Sequence, residues 1–166
     1  MVKWLKHAKF TAHGKVFDVG NTCREAINNV FNGCNPYNSG ISTVTAIGNG
    51  SLMRILPMAF FLKDEKDFEK RKNYIYDISA ITHAHILSKV ACHIYVEFAI
   101  QLINGKSLET AYEDTMHTLS MYYKSNIQEK YYAKFKNIFT ISKQEDSNFY
   151  KLEMNCLSVY TLCIHD

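Results

Sequence analysis

Two prolines and seven glycines in 166 residues leave few places where a helix is forced to stop. No alternation of apolar and polar residues is sustained long enough to mark a strand, and no internal repeat or low-complexity tract occurs. The expected class is therefore all-α, a helical bundle. Cys-x-x-Cys is missing, and the five cysteines, Cys23, Cys34, Cys92, Cys156 and Cys163, are an odd number. Both facts argue against a disulfide framework and for a reducing compartment. Lys3, Lys6 and Lys9 punctuate an N-terminus without the apolar stretch of a secretory signal. A cytoplasmic location is the expectation. No uncharged apolar run is long enough to cross a bilayer, and no membrane role is expected. The net charge of +3 is small and dispersed, without the basic stripe of a nucleic-acid binder. His-Glu-x-x-His and Gly-x-Ser-x-Gly are absent, which removes the signatures of a zinc-hydrolase helix and a serine-hydrolase elbow. Neither Asp-Asp nor Asp-x-Asp occurs, so the paired aspartates that commonly supply hard oxygen ligands to magnesium are missing.

What is present begins with an ordinary globular balance, 47% hydrophobic and 21% charged, over a length that suits one domain. Gly48-Asn49-Gly50-Ser51-Leu52-Met53-Arg54-Ile55-Leu56-Pro57 stands out. Gly48 and Gly50 can take positive φ and leave the backbone uncovered, and Asn49 tolerates the left-handed region. Ser51 is placed to cap a buried helix over residues 52–62, which Pro57 should kink or restart. Exposed N–H groups at the mouth of such a helix form an anion cradle. Arg54 is the one cation on this apolar run. It either pairs with a carboxylate from the surface, or fixes the loop or a bound phosphate.

Around this centre the chain reads as helices. Irregular structure carrying Trp4, Gly14 and Gly20 leads to a helix with a capping box at Thr22 and Glu25, running through Ala26, Ile27, Val30 and Phe31 to stop at Gly33. Residues 35–50, rich in Asn, Ser, Thr and Gly, read as a long loop. Lys63, Lys66, Lys70, Arg71 and Lys72, interleaved with Asp64, Glu65, Asp67 and Glu69, read as a solvated face of mixed ion pairs. One long helix is expected from Asp77 to Asn104, with His85, Lys89, His93, Glu97 and Gln101 as an outward polar stripe. His83 falls instead in line with Leu87, Val90 and Ile94. An inward imidazole there is either a core histidine bonded to a backbone carbonyl or a donor to a ligand. Further helices are expected from Ser107 to about Tyr123 and from Ile127 to Ile138, the second with Tyr131, Tyr132, Phe135, Ile138 and Phe139 on its apolar face.

The string from Gly48 to Pro57, followed by Thr82-His83-Ala84-His85 and preceded by Phe10-Thr11-Ala12-His13-Gly14-Lys15-Val16-Phe17-Asp18-Val19-Gly20, resembles the ADP-ribosylglycohydrolase family. The likeness covers about residues 1–105 and fades beyond. It implies hydrolysis of the glycosidic bond between ADP-ribose and a modified side chain, with ADP-ribose or an ADP-ribosylated protein as partner. It implies ligand contacts from Gly48, Asn49, Gly50, Ser51 and Met53, with His83 opposite and Arg54 in support. Enzymes of the family hold two magnesium ions between a Thr-Asp-Asp group near the N-terminus and an Asp-x-Asp-Thr group near the C-terminus. This sequence has neither. Glu113-Asp114-Thr115-Met116 lies after the glycine loop rather than before it, within an expected helix, and Lys151 to Asp166 departs from the family's pattern. No catalytic residue and no metal ligand can therefore be assigned. The expectation is one incomplete domain over 1–166, a partial version of the family fold with impaired turnover. The alternatives are ADP-ribose binding without turnover, or a helical domain that acts only through protein contacts.

Overall fold

The computed structural model describes residues 1–139, and among them there are seven α-helices and no strand. They are α1 (Val2–His7), α2 (Asn21–Phe31), α3 (Pro57–Leu62), α4 (Phe68–Ala80), α5 (Ile86–Ile103), α6 (Leu108–Asn126) and α7 (Glu129–Phe139). Cys156, Cys163 and the segment from Lys151 to Asp166 lie outside the described residues.

The bundle is built around α5. Its sequence is apolar on nearly every side, and a helix of that kind is stable only when surrounded. α3, α4 and α6 pack against it, and Val90, Cys92, His93 and Val96 have no exposed surface at all. Each fully buried aliphatic side chain contributes about 1.5–3 kcal/mol, an upper bound that assumes an extended unfolded chain. By length and composition α5 could also match a bilayer, but it carries Lys89 and Glu97 and is 67% buried within this fold. Ser107 caps α6 by accepting from the Thr110 N–H at 3.2 Å. Phe135 of α7 is buried with Tyr131 and Tyr132 packed beside it, as the apolar pattern requires. The side chains of Ile138 and Phe139 fall outside the described part of α7.

Several local expectations are corrected. The opening segment is helical around Trp4, as α1, rather than irregular. The cap of α2 is Gly20, and no side chain bonds the first turn, so the Thr22–Glu25 capping box does not form. Gly33 does follow the end of α2, at φ 94°. The apolar run after Ser51 is not one helix. A three-residue 3-10 turn, Leu52–Arg54, comes first, and α3 then starts at Pro57, whose missing N–H costs nothing at a first helical position. The loop of residues 35–50 holds two further 3-10 turns, Pro36–Asn38 and Val44–Ala46. Lys63, Lys70 and Lys72 make the ion pairs expected of a mixed surface, with Asp64, Glu65 and Glu69. Arg71 does not belong to that surface. It forms a two-point bond to Glu97 at 2.7 and 2.9 Å, with both side chains largely buried.

The correction that matters most for the site is that the helix expected from Asp77 to Asn104 is broken. α4 ends at Ala80, α5 begins at Ile86, and the residues between adopt an extended turn. Propensity alone gives no reason for the break; a tertiary contact does. Ile41 pairs with His83 as a parallel bridge, its N–H donating to the Thr82 carbonyl at 3.0 Å and its carbonyl accepting from the Ala84 N–H at 2.9 Å. Gly40 makes that approach possible, because a Cβ there would lie 1.8 Å from the Ala80 carbonyl oxygen. Next to it the buried Ser39 hydroxyl reaches the carbonyls of Ile81 (2.8 Å) and Pro36 (2.9 Å), and the Asn29 amide donates to the Ser39 carbonyl (3.0 Å). Because α5 is surrounded by α3, α4 and α6, His85, His93 and Glu97 of the stripe expected to face outward are buried, with exposures of 6%, 0% and 5%, as are Leu87, Val90 and Ile94. His85 caps α5 by accepting from the Leu87 N–H (3.2 Å) and stacks edge-on against Tyr131.

Candidate functional site

A cleft of about 330 Å³ opens between α1, the first turn of α2 and the Gly48–Gly50 loop, with His83 forming part of its wall. Five of the six expected ligand residues line it: Gly48, Asn49, Gly50, Met53 and His83. Ser51 does not. It is 1% exposed and points into the core, where its hydroxyl accepts from Ser79 (3.1 Å) and from the Cys92 thiol (3.4 Å).

The reasons expected for the glycines also change. Neither Gly48 nor Gly50 has a positive φ; the glycines that do are Gly14, Gly33 and Gly105. Gly50 is required for room. A Cβ on it would stand 2.6 Å from His83 Cε1 and 3.1 Å from Cys23 Sγ. Gly48 is less constrained, with only His83 Nε2 near, at 3.8 Å. The three-residue turn that follows is too short to focus a helix dipole, so the cradle at the mouth of a long helix is not formed there.

A helix terminus nevertheless meets the cleft, from the opposite wall. Gly20, Asn21, Thr22 and Cys23 line it, and because α2 has no side-chain cap, the N–H groups of Asn21, Thr22 and Cys23 find no acceptor among the described residues. The N–H groups of Gly48, Asn49 and Gly50 are likewise without an acceptor there. Two runs of open donors thus border one space, and one of them ends an 11-residue helix whose dipole favours negative charge. The sequence held a signal for this wall. Glycine at a helix start leaves the first turn open, whereas the neighbouring threonine suggested a cap.

His83 is 3% exposed, and its Nδ1 lies 2.9 Å from Thr82 Oγ1. His83 lines the cleft, and its ring makes its hydrogen bond through Nδ1, leaving Nε2 without one among the described residues. Burial, and then the charge of Arg54, push its pKa down to about 4, so the ring is neutral at physiological pH. Among the described residues Arg54 pairs with no carboxylate, and it does not line the cleft. Its Nη2 donates to the Ile78 carbonyl (2.8 Å) and to Thr82 Oγ1 (2.8 Å), with the Ser79 carbonyl at 3.5 Å. A cation at the final carbonyls of α4 is favoured by the helix dipole, and here it also anchors the turn that carries His83. Burial lowers its pKa from the ordinary arginine value. The Cys23 thiol, at the cleft wall, is pushed up by burial and is not an activated nucleophile.

The described residues do not fit a magnesium pair. No three His, Cys, Asp or Glu side chains among them come together, and Asp18 is the one carboxylate at the cleft. Asp114 of the Glu113-Asp114-Thr115 stretch is paired with Lys106 at 2.6 Å, on α6.

The family model for ADP-ribosylglycohydrolase matches residues 1–160, continuing past the point where recognisable motifs end. The ADP-ribosylarginine hydrolase Tri1 of Serratia proteamaculans (strain 568) is 28% identical over 112 residues, 68% of this chain and 30% of its own length. The ADP-ribosyl-[dinitrogen reductase] glycohydrolase of Rhodospirillum rubrum is 32% identical over 115 residues, 67% of this chain and 34% of its own. The chain thus spans about a third of the length of these curated relatives. No solved structure gives a match of comparable significance. The match across residues 1–160 makes this chain a member of the ADP-ribosylglycohydrolase family.

Proposed function

We propose that the cleft recognises ADP-ribose, alone or on a modified protein, by gripping its diphosphate. The observation that carries this reading is a buried imidazole with an open Nε2 in the wall of a cleft that is also lined by two runs of residues whose backbone N–H groups have no acceptor among the described residues. Such donors lose little on ordering, because the fold already holds them, and each bond to a charged oxygen contributes about 1.5–3 kcal/mol. Asn49 and Met53 at the rim, with Trp4 on the α1 side, supply amide and apolar surface for the ribose and the base. The relatives named for ADP-ribosylarginine and for an ADP-ribosylated protein support the substrate class, and ADP-ribosylarginine is the linkage to test first.

Binding without efficient turnover is the function this geometry supports best. The family's reaction relies on metal-held water and carboxylates, and the described residues bring no such cluster together. Isothermal titration with ADP-ribose is the direct test. Binding is expected for the intact chain and its loss for Asn49→Ala combined with His83→Ala; an affinity unchanged by both substitutions would overturn the assignment. A parallel assay on ADP-ribosylated arginine with added magnesium should give a negligible rate. An ordinary rate would show that this chain completes the reaction itself.

A further inference from the structure

We infer that Thr82 is a positioning residue: its hydroxyl, held by Arg54, fixes the His83 ring as the tautomer that carries its proton on Nε2, aimed into the cleft. Arg54 Nη2 can only donate, so the 2.8 Å contact makes Thr82 Oγ1 an acceptor on that side. The hydroxyl proton of Thr82 then has two neighbours to choose between, His83 Nδ1 at 2.9 Å and the Cys23 thiol. An sp² ring nitrogen is much the better acceptor, and sulfur a weak one. With Nδ1 accepting, the proton of a neutral imidazole must sit on Nε2. The Cys23 S–H can then donate to the remaining lone pair of Thr82, which leaves the ring Nε2–H and the Arg54 Nε–H as the open donors of the cluster among the described residues.

The opposite tautomer fits less well. Nδ1–H would take the second lone pair of Thr82 Oγ1 beside Arg54 and send the threonine proton to sulfur, the weaker acceptor. It would also leave a bare Nε2 lone pair at a cleft wall where the nearby N–H groups do not reach it. A half-turn of the ring about Cβ–Cγ would put Cδ2 where Nδ1 stands and forfeit the 2.9 Å contact with Thr82 Oγ1, so that contact holds the ring's orientation. A histidine that presents a fixed neutral donor differs from one that responds to solution pH. The functional consequence, a donor preset for a diphosphate oxygen, rests on the reading of the cleft given above. The tautomer itself does not.

The test is therefore made first on the ligand-free chain. In nitrogen-labelled protein at neutral pH, long-range proton–nitrogen NMR reports which ring nitrogen is protonated, and the His83 signals are identified by their loss in His83→Gln. A protonated Nε2 and an unprotonated Nδ1 are expected. Thr82→Ser should keep that pattern, and Thr82→Val should replace it with a mixture of tautomers. A wild-type ring with Nδ1–H, or a Thr82→Val pattern identical to wild type, would overturn the inference. ADP-ribose titration then separates the two claims. Thr82→Val should weaken binding about tenfold and Thr82→Ser much less, the size of one lost hydrogen bond. If the tautomer is as stated but the wild type binds no ADP-ribose, the functional reading fails and the positioning role stands.

Discussion

Replacing Gly50 by alanine probes the packing that defines the cleft. The added methyl carbon would lie 2.6 Å from His83 Cε1, 3.2 Å from His83 Nε2 and 3.1 Å from Cys23 Sγ. Carbon atoms pack best about 3.5–4.0 Å apart, so the ring would have to retreat by about 1 Å. Retreat is costly: the ring is 3% exposed, bonded through Nδ1 to Thr82, and carried on backbone fixed to Ile41. Overpacking of this kind costs about 1–3 kcal/mol. For a chain of this size, each kcal/mol lowers Tm by roughly 2–4 °C. Thermal unfolding followed by circular dichroism should therefore place Gly50→Ala clearly below wild type. Gly48→Ala is the internal control. Its Cβ would meet only His83 Nε2, at an ordinary 3.8 Å, and its backbone is not left-handed, so its effect should stay within about 0.5 kcal/mol. In a His83→Ala background the main clash disappears, and the cost of Gly50→Ala should shrink by about 1 kcal/mol or more. A Gly50→Ala chain that melts with the wild type, or one whose loss is the same with and without His83, would refute the reasoning.

Acid should begin to loosen the fold from just below neutral pH. The His83 pKa is depressed to about 4 by burial and by Arg54, so between the ordinary value of 6.5 and that value the unfolded chain binds the proton first. Stability should be complete above about pH 7 and fall toward pH 4, by on the order of 3 kcal/mol from this residue alone. Burial gives His93 a shift of the same sign. Urea unfolding across that range checks it, and His83→Gln should flatten the slope; an equally steep slope in that variant would discount His83 as the cause. Glu97→Ala would leave Arg71 buried without its partner, at a cost of about 3–5 kcal/mol, and pairing it with Arg71→Met should recover part of the loss. Urea midpoints within experimental scatter of wild type would remove that pair from the account of the core. Gly40→Ala should be worse than Gly50→Ala, because its Cβ would meet the Ala80 carbonyl at 1.8 Å and backbone cannot rotate aside as a side chain can. A soluble Gly40→Ala chain with wild-type Tm would contradict the bridge geometry.

By itself the sequence determined the quantities that are local. Scarce proline and the spacing of apolar residues specify an all-α chain, and the starts of α6 and α3 follow from Ser107 and Pro57 within a turn of where they act. The family strings named Gly48, Asn49, Gly50, Met53 and His83, and these do line one cleft. Tertiary structure decided what no window of sequence contains. Ile41 breaks a helix that propensity would continue, across 42 positions of chain, and the packing of α3, α4 and α6 around α5 buries His93 and Glu97. Ser51 is a good capping residue by type, but bonds within the core claimed its hydroxyl. Gly50 is glycine because an imidazole from a distant turn occupies the space its side chain would need. Hydrogen-bond partners and excluded volume are set by residues far apart in the chain, and those become neighbours only once α4 and α5 have packed.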